Sequence, residues 1–212
     1  MNRSVLIVLS LALVGCQTPP TPPPTKPVSL SSVFRLAKLE EIDSAIGQAI
    51  AAGKAPGAVV RIESGRAVYQ KTFGDKAAKP ERSPMTADTI FDAASLTKVI
   101  ATAPAIALLI EQGKLGLDDR VEKWIPGFKK NGKGAVTIRH LLTHTSGLRP
   151  GLSPRPEWSG VATAIAKAKA EPLTEQPDTK FIYSDINFIL LGEIVRLVSG
   201  ERLDLFVSKN IF

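Results

Sequence analysis

The sequence predicts a mixed fold of the α/β (α+β) class, helices combined with an antiparallel sheet, and three observations carry that reading. Leu39, Ile42, Ile46, Ala49 and Ile50 recur at helical spacing, with Lys38, Glu40, Glu41 and Gln48 between them. "GAVVRIES" and "RAVYQKTFG" are strand-like runs separated by Ser64-Gly65, which suits an antiparallel hairpin with a tight glycine turn. Val99 to Ile110 then holds no charge at all. That stretch falls well short of the ~20 apolar residues a membrane span needs, so it reads as a buried core helix.

The remaining elements follow in chain order. Arg3 and the apolar run Val5 to Val14 form a signal-type start, and residues 1–15 are expected to be a signal peptide. Leu13-Val14-Gly15-Cys16 resembles the lipobox of bacterial lipoproteins. The resemblance implies that Cys16 is lipidated, becomes the new N-terminus and ties the protein to a membrane. Cys16 is the only cysteine, which excludes a disulfide within the chain. Gln17, rather than an aspartate, leans the anchor towards the outer membrane, facing the periplasm. "TPPTPPPTKP" is an extended polyproline spacer, so residues 16–30 read as lipidated cysteine plus linker and 31–212 as the folded part.

The first helix should stop near Gly53. The helix within "FDAASLTKVIATAPAIALLIEQGK" should stop at Gly113, and Pro104 should kink it or open a turn. "LGLDDRVEKWIPGF" predicts a loop and a short helix, with Asp118 and Asp119 as turn or capping residues. "TIRHLLTHTSGL" predicts a helix stopped by Ser146-Gly147. "IYSDINFILLGEIVRLVSG" predicts a turn, then an amphipathic helix ending at Gly200. No internal repeat is visible.

Charge and composition exclude some functions. The net charge of +7 would suit nucleic acid, but Lys and Arg are scattered and aromatics that stack on bases are few. No nucleic-acid partner is expected; the charge serves solubility or attraction to anionic envelope polymers. His140 and His144 are four apart, yet no glutamate stands between them and no third ligand is evident, so no metal is expected. Both are read as holding the turn around "HTSGL".

Ser95-Leu96-Thr97-Lys98 is the segment that carries chemistry. On a helix, residues three apart share a face with Cβ atoms ~5–6 Å apart, so the Lys98 amine reaches the Ser95 hydroxyl. A serine hydroxyl is a poor nucleophile until a base takes its proton. A lysine buried at an apolar helix head loses proton affinity and becomes such a base. The helix start also offers free N–H groups for an oxyanion.

"TIFDAASLTK", "EQGKLGLDDRVEKWIPGF", "TIRHLLTHTSGL" and "FIYSDINFILLGEIV" follow in this order. Together they resemble the serine β-lactamase-related family: class C β-lactamases, D,D-peptidases and esterases sharing their fold. The resemblance runs from about Leu36 to the end. It implies a β-lactamase/transpeptidase-like fold, a helical subdomain plus an antiparallel sheet with helices on both faces. Ser95 would be the acylated nucleophile, Lys98 its hydrogen-bonded partner, and Tyr183 the tyrosine of the family's Y-x-N motif that moves the proton.

Two departures stand out. Y-x-N reads Tyr183-Ser184-Asp185, so an acceptor-only carboxylate replaces an amide. Asp185 would then pair with Lys98 and keep it charged, and Asn187 offers a donor two residues on. The family's later K-T-G or H-x-G motif is absent, so the C-terminal strands are expected to be missing and the domain partial. Val99, Ile100, Leu108, Leu109 and Ile110 would then lie exposed.

The expected function is an exported serine hydrolase forming an acyl-enzyme with a D-alanyl cell-wall peptide, a small ester or a β-lactam, without a cofactor. The alternative is a non-catalytic envelope lipoprotein that binds peptidoglycan or a partner through a remnant fold.

Overall fold

The computed structural model describes residues 28–77 and 79–212. The expected signal peptide, Cys16 and the linker through residue 27 lie outside the described residues. The chain divides into two units, Met1–Phe91 and Asp92–Phe212.

In the first unit, helix α1 (Leu36–Ala51) ends beside Gly53 as expected. Leu39 is buried, and Asp43, one turn on, accepts hydrogen bonds from Tyr69 and Lys71. Both donors lie on a strand, so this carboxylate fastens helix to sheet. Lys71, then Tyr69, hold its pKa below the usual range.

Strands β1 (Gly57–Ser64) and β2 (Ala67–Ala77) form the expected antiparallel hairpin, paired from Gly57↔Gly74 to Ser64↔Ala67. Ser64 is therefore still strand, and the connection is Gly65-Arg66, one residue later than the sequence suggests. Gly65 supplies the positive φ (57°) that a two-residue hairpin needs at its first position. A third strand, β3 (Ser83–Pro84), pairs with β2 near Asp75 and Ala77, at a sheet edge where proline is tolerated. Two residues carry no periodicity, which is why the sequence reading passes over it.

The second unit is helical. A π-helical turn, Lys98–Thr102, leads into α2 (Ala103–Glu111). Pro104 has no N–H to continue an ordinary ladder, and the wider turn lies directly before it. This is the local opening expected there. Helix α2 ends at Glu111, with Gln112 as its cap beside Gly113.

The apolar run is not buried all round. Ala105, Ile106 and Leu109 are fully buried, whereas Val99 and Ile100 remain 62% and 47% exposed. This corrects both expectations: the segment buries one face only, and Leu109 lies on that face.

After α3 (Val121–Trp124) comes α4 (Ile138–Leu142), which stops four residues before the Ser146-Gly147 signal. The Thr145 N–H bonds to the His140 carbonyl and the His144 N–H to Leu141, a Schellman closure with His144 at φ 58°. Histidine is unusual at that left-handed position, so the sequence does not announce the stop.

Helices α5 (Val161–Ala170), α6 (Asp185–Ser199) and α7 (Leu203–Asn210) complete the unit. α6 ends at Gly200 as expected, whereas α5 and α7 were not foreseen. α6 is the axis: Ile186, Leu190, Leu191, Ile194 and Val195 are fully buried at helical spacing. Helices α2, α3, α4, α5 and α7 all pack against it.

Residues 144–150 are clasped to 174–185 by main-chain bonds. Thr174 N–H donates to Gly147, Asp178 to Thr145, Ile182 to His144 and Asp185 to Pro150, at 2.7–2.8 Å. Gly147 sits in the clasp at φ 78°, and a Cβ there would meet the Glu175 carbonyl oxygen at 2.0 Å. A backbone atom cannot step aside as a flexible side chain would. Gly147→Ala is therefore expected to destabilise the protein by about 2–4 kcal/mol, read as a lower denaturation midpoint; an unchanged midpoint would disprove the tight approach.

Candidate active site

Ser95 stands just before the π-helical turn and is exposed. The residue before it, Ala94, has φ 43°, and its N–H donates to the Asp92 carboxylate at 2.8 Å. A left-handed alanine costs about 1–2 kcal/mol. The Asp92 bond helps hold that conformation and presents Ser95 at the head of the helix.

The Lys98 side chain is only 13% exposed, and its Nζ donates to Ser95 Oγ at 3.1 Å and to Asp185 Oδ1 at 2.6 Å. Asp185 opens α6, 87 residues away in sequence. The ammonium also lies 5.0 Å from the centre of the Tyr183 ring and 5.8 Å from that of Phe188. Three of the five expected site residues thus meet at one amine, and Tyr183 faces it.

The electrostatics answer which expectation for Lys98 holds. Burial pulls its pKa down, but the Asp185 carboxylate and the Tyr183 phenol outweigh that, and the net direction is upward. That direction is opposite to the depressed, basic amine that burial alone would give. Tyr183 moves the opposite way: Ser95 first, then Lys98, draw its pKa below 10.0 while Asp185 opposes them. The tyrosine is 45% exposed, and these neighbours favour its phenolate form.

Asn187 takes a different place from the one expected. It is fully buried, and its Oδ1 accepts from Ser146 Oγ at 2.7 Å, while that oxygen also accepts the Leu148 N–H. It ties α6 to the loop after α4 instead of offering its amide beside Asp185. Helical spacing explains this: the residue two after Asp185 turns to another face.

His144 holds the turn around "HTSGL" as expected, whereas the His140 ring caps the other end of α4. His140 Nδ1 accepts the Thr137 N–H, and the His140 N–H bonds to Thr137 Oγ1, a reciprocal cap on α4. His144 Nδ1 accepts the Ser184 N–H at 3.0 Å, next to Tyr183. Asp119 caps the Gly116 turn through its carboxylate, and Asp118 pairs with Arg139.

Beside the cluster is an open recess of about 300 Å³, lined by Ala94, Thr97, Lys98, Asp185, Phe188 and Leu203 among others. An exposed serine, a lysine donating to it and a tyrosine of lowered pKa form a candidate site of the S-x-x-K type.

The chain belongs to the beta-lactamase family, whose profile matches residues 42–212. It is 32% identical, over 100% of its length and 54% of the relative's, to an Escherichia coli K12 protein with the provisional name D-alanyl-D-alanine carboxypeptidase. Among solved structures it resembles an octameric penicillin-binding protein homologue from Pyrococcus abyssi, at TM-score 0.68 and 32% identity, covering 84% of this chain and 42% of that one. It also resembles a class C beta lactamase from Rhodobacter sphaeroides, at TM-score 0.67 and 26% identity, covering 80% and 47%. The fold is thus the expected α/β, β-lactamase/transpeptidase type. The chain spans about half the length of these relatives and aligns with the N-terminal portion of the larger family members.

Asp185→Asn separates the competing effects on Lys98. The raised lysine pKa adds stability that is complete below the ordinary value of 10.5 and is lost as pH rises through the folded value. Removing the carboxylate leaves burial in place, so Lys98 should shed its proton at lower pH and the alkaline stability limb should move down. The phenol, relieved of Asp185, should also ionise at lower pH. Stability and Ser95 labelling followed across alkaline pH should both shift acidward; a shift of either to higher pH would contradict the pairing.

Proposed function

We propose that this chain carries the nucleophile of an exported serine hydrolase that acts on an amide or ester carbonyl through an acyl-enzyme. The observation that carries the reading is Lys98 Nζ at 3.1 Å from Ser95 Oγ, with the pKa-lowered Tyr183 beside them. The phenolate of Tyr183 accepts the Ser95 proton as Oγ bonds to the carbonyl carbon. The Lys98 cation and the Ser95 N–H stabilise the developing negative charge. Collapse breaks the bond to the leaving nitrogen or oxygen, which takes the proton back from Tyr183. Water then attacks the acyl ester and frees Ser95. Only protons and an acyl group move, so the chemistry calls for no cofactor.

The names of the relatives support the substrate class: D-alanyl-D-alanine peptides for the Escherichia coli protein, β-lactams for the Rhodobacter one. Asp185 offers a ligand only an acceptor where an amide would also donate. Carboxypeptidase or esterase chemistry is therefore favoured over efficient β-lactam hydrolysis. The envelope setting, with a lipid anchor at Cys16 and an outer-membrane position facing the periplasm, rests on the Leu13–Cys16 motif and Gln17.

In the full-length protein, a fluorophosphonate or labelled penicillin should modify Ser95 and nothing else, and Ser95→Ala should abolish labelling. Lys98→Ala should slow it about 10²–10⁴-fold, the usual loss when a group in proton transfer is removed. Labelling elsewhere, or indifferent to Lys98, would move the reading to the non-catalytic binding lipoprotein. For the anchor, mass spectrometry of protein made in a Gram-negative host should find a mature acylated Cys16, and Cys16→Ala should leave the membrane fraction. A lipid-free terminus at another residue would dismiss it.

A further inference from the structure

His144 has a backbone conformation that histidine seldom takes, and the reason lies in what it touches. Its φ of 58° is the left-handed closure of α4, a place usually filled by glycine or asparagine. From there its carbonyl accepts the Ile182 N–H at 2.8 Å and its Nδ1 accepts the Ser184 N–H at 3.0 Å. One residue therefore holds the chain on both sides of Tyr183. The imidazole also lies against the Tyr183 ring, centroids 4.6 Å apart, with Phe188 at 5.2 Å and Phe181 edge-on at 5.7 Å. Ser184 Oγ donates to the Arg149 carbonyl at 2.7 Å, which fixes the peptide from the opposite direction.

We propose that His144 is the positioning residue of Tyr183: its carbonyl and imidazole bracket the tyrosine and hold the phenol beside Ser95 and Lys98. This rests on the acyl-transfer reading for its consequence in catalysis, but not for its geometry. Glycine would satisfy the turn without strain, yet only a side chain with an acceptor nitrogen and a flat face makes both the Ser184 bond and the ring contact. The bond requires Nδ1 to be unprotonated, and the environment favours that. Burial, then the Lys98 charge, push the imidazole pKa below 6.5, with Asp185 opposing. Those are the charged groups facing the ring, while Arg139 and His140 on its own helix are engaged with Asp118 and Thr137.

The chain has two tyrosines, so optical titration of this chain, with Tyr183→Phe marking the step that belongs to Tyr183, makes the proposal readable. Tyr69 is held by the Asp43 carboxylate, which pushes its phenol up to about 12. Tyr183 should therefore ionise first, below 10.0, in a separate step. In His144→Gly, which keeps the turn and loses the ring, the first step should rise towards 10 and the second stay put. Labelling of Ser95 by penicillin should slow about 10²-fold, the scale of a misplaced catalytic group. On a Tyr183→Phe background the same change should have little further effect, because His144 acts through the tyrosine.

A first ionisation step that does not move, or an equal slowing on the Tyr183→Phe background, would overturn the proposal. If His144→Gly does not melt cooperatively, His144→Asn, which also tolerates positive φ, replaces it in both measurements. The native protein supplies a check without any variant: ¹⁵N NMR should show the His144 Nδ1 unprotonated at pH 7, and a protonated Nδ1 would also overturn it. Should Ser95 never label, the acyl-transfer reading fails, while the optical and NMR results still decide the bracket.

Discussion

A lysine ammonium kept mostly from water must be given partners, and the site is arranged around that constraint. Lys98 is 13% exposed at the head of a run that is uncharged from Val99 to Ile110. An unpaired charge there would lose its proton or unfold its surroundings. Asp185 supplies the counter-charge, Ser95 Oγ a hydrogen bond, and the faces of Tyr183 and Phe188 the flanking electron density. Each of these is also a group that the proposed acyl transfer would need nearby or as a wall around it. The requirement to stabilise one charge thus assembles the groups that share its neighbourhood.

The partners come from distant parts of the second unit, so their meeting depends on α6. Its buried stripe sets its rotation, and that rotation turns Asp185 towards Lys98 and Asn187 towards Ser146. The clasp between 144–150 and 174–185 then fixes the segment that feeds into α6, including Tyr183. Lys133 reinforces it from behind: buried at 1% exposure, its Nζ donates to the carbonyls of Lys169 and Glu171 at the end of α5. Glu171 in turn pairs with Arg149, whose carbonyl holds Ser184.

What was legible in the sequence is what periodicity and local chemistry encode. Helix α1, the hairpin, α2 with its opened turn and α6 each repeat a pattern over many residues, and glycines close the three helices. Ser95 and Lys98 were legible because their three-residue spacing is itself a geometry. What stayed hidden is non-local. Nothing in "GKGAV" shows that Lys133 will end beneath α5, and nothing near His144 shows that its ring meets Tyr183, because both contacts are made after the chain folds back. The alanine- and lysine-rich α5 has little apolar contrast, and the end of α4 was missed because a histidine fills the usual glycine position.

The carboxylate at 185 also bears on which group moves the proton. An amide would leave Lys98 subject mainly to burial, and a buried lysine can become the base. With Asp185 at 2.6 Å the amine instead stays charged, and its positive field acts on Tyr183. That field and the Ser95 hydroxyl lower the phenol's proton affinity while Asp185, farther along the same network, limits how far it falls. In the proposed acyl transfer, proton transfer would thereby be divided between residues: Lys98 contributing charge, Tyr183 the exchangeable proton, and Asp185 the balance between them. In that proposal the lysine at the head of an apolar helix serves Ser95 through its charge, and acts by way of the tyrosine that His144 contacts.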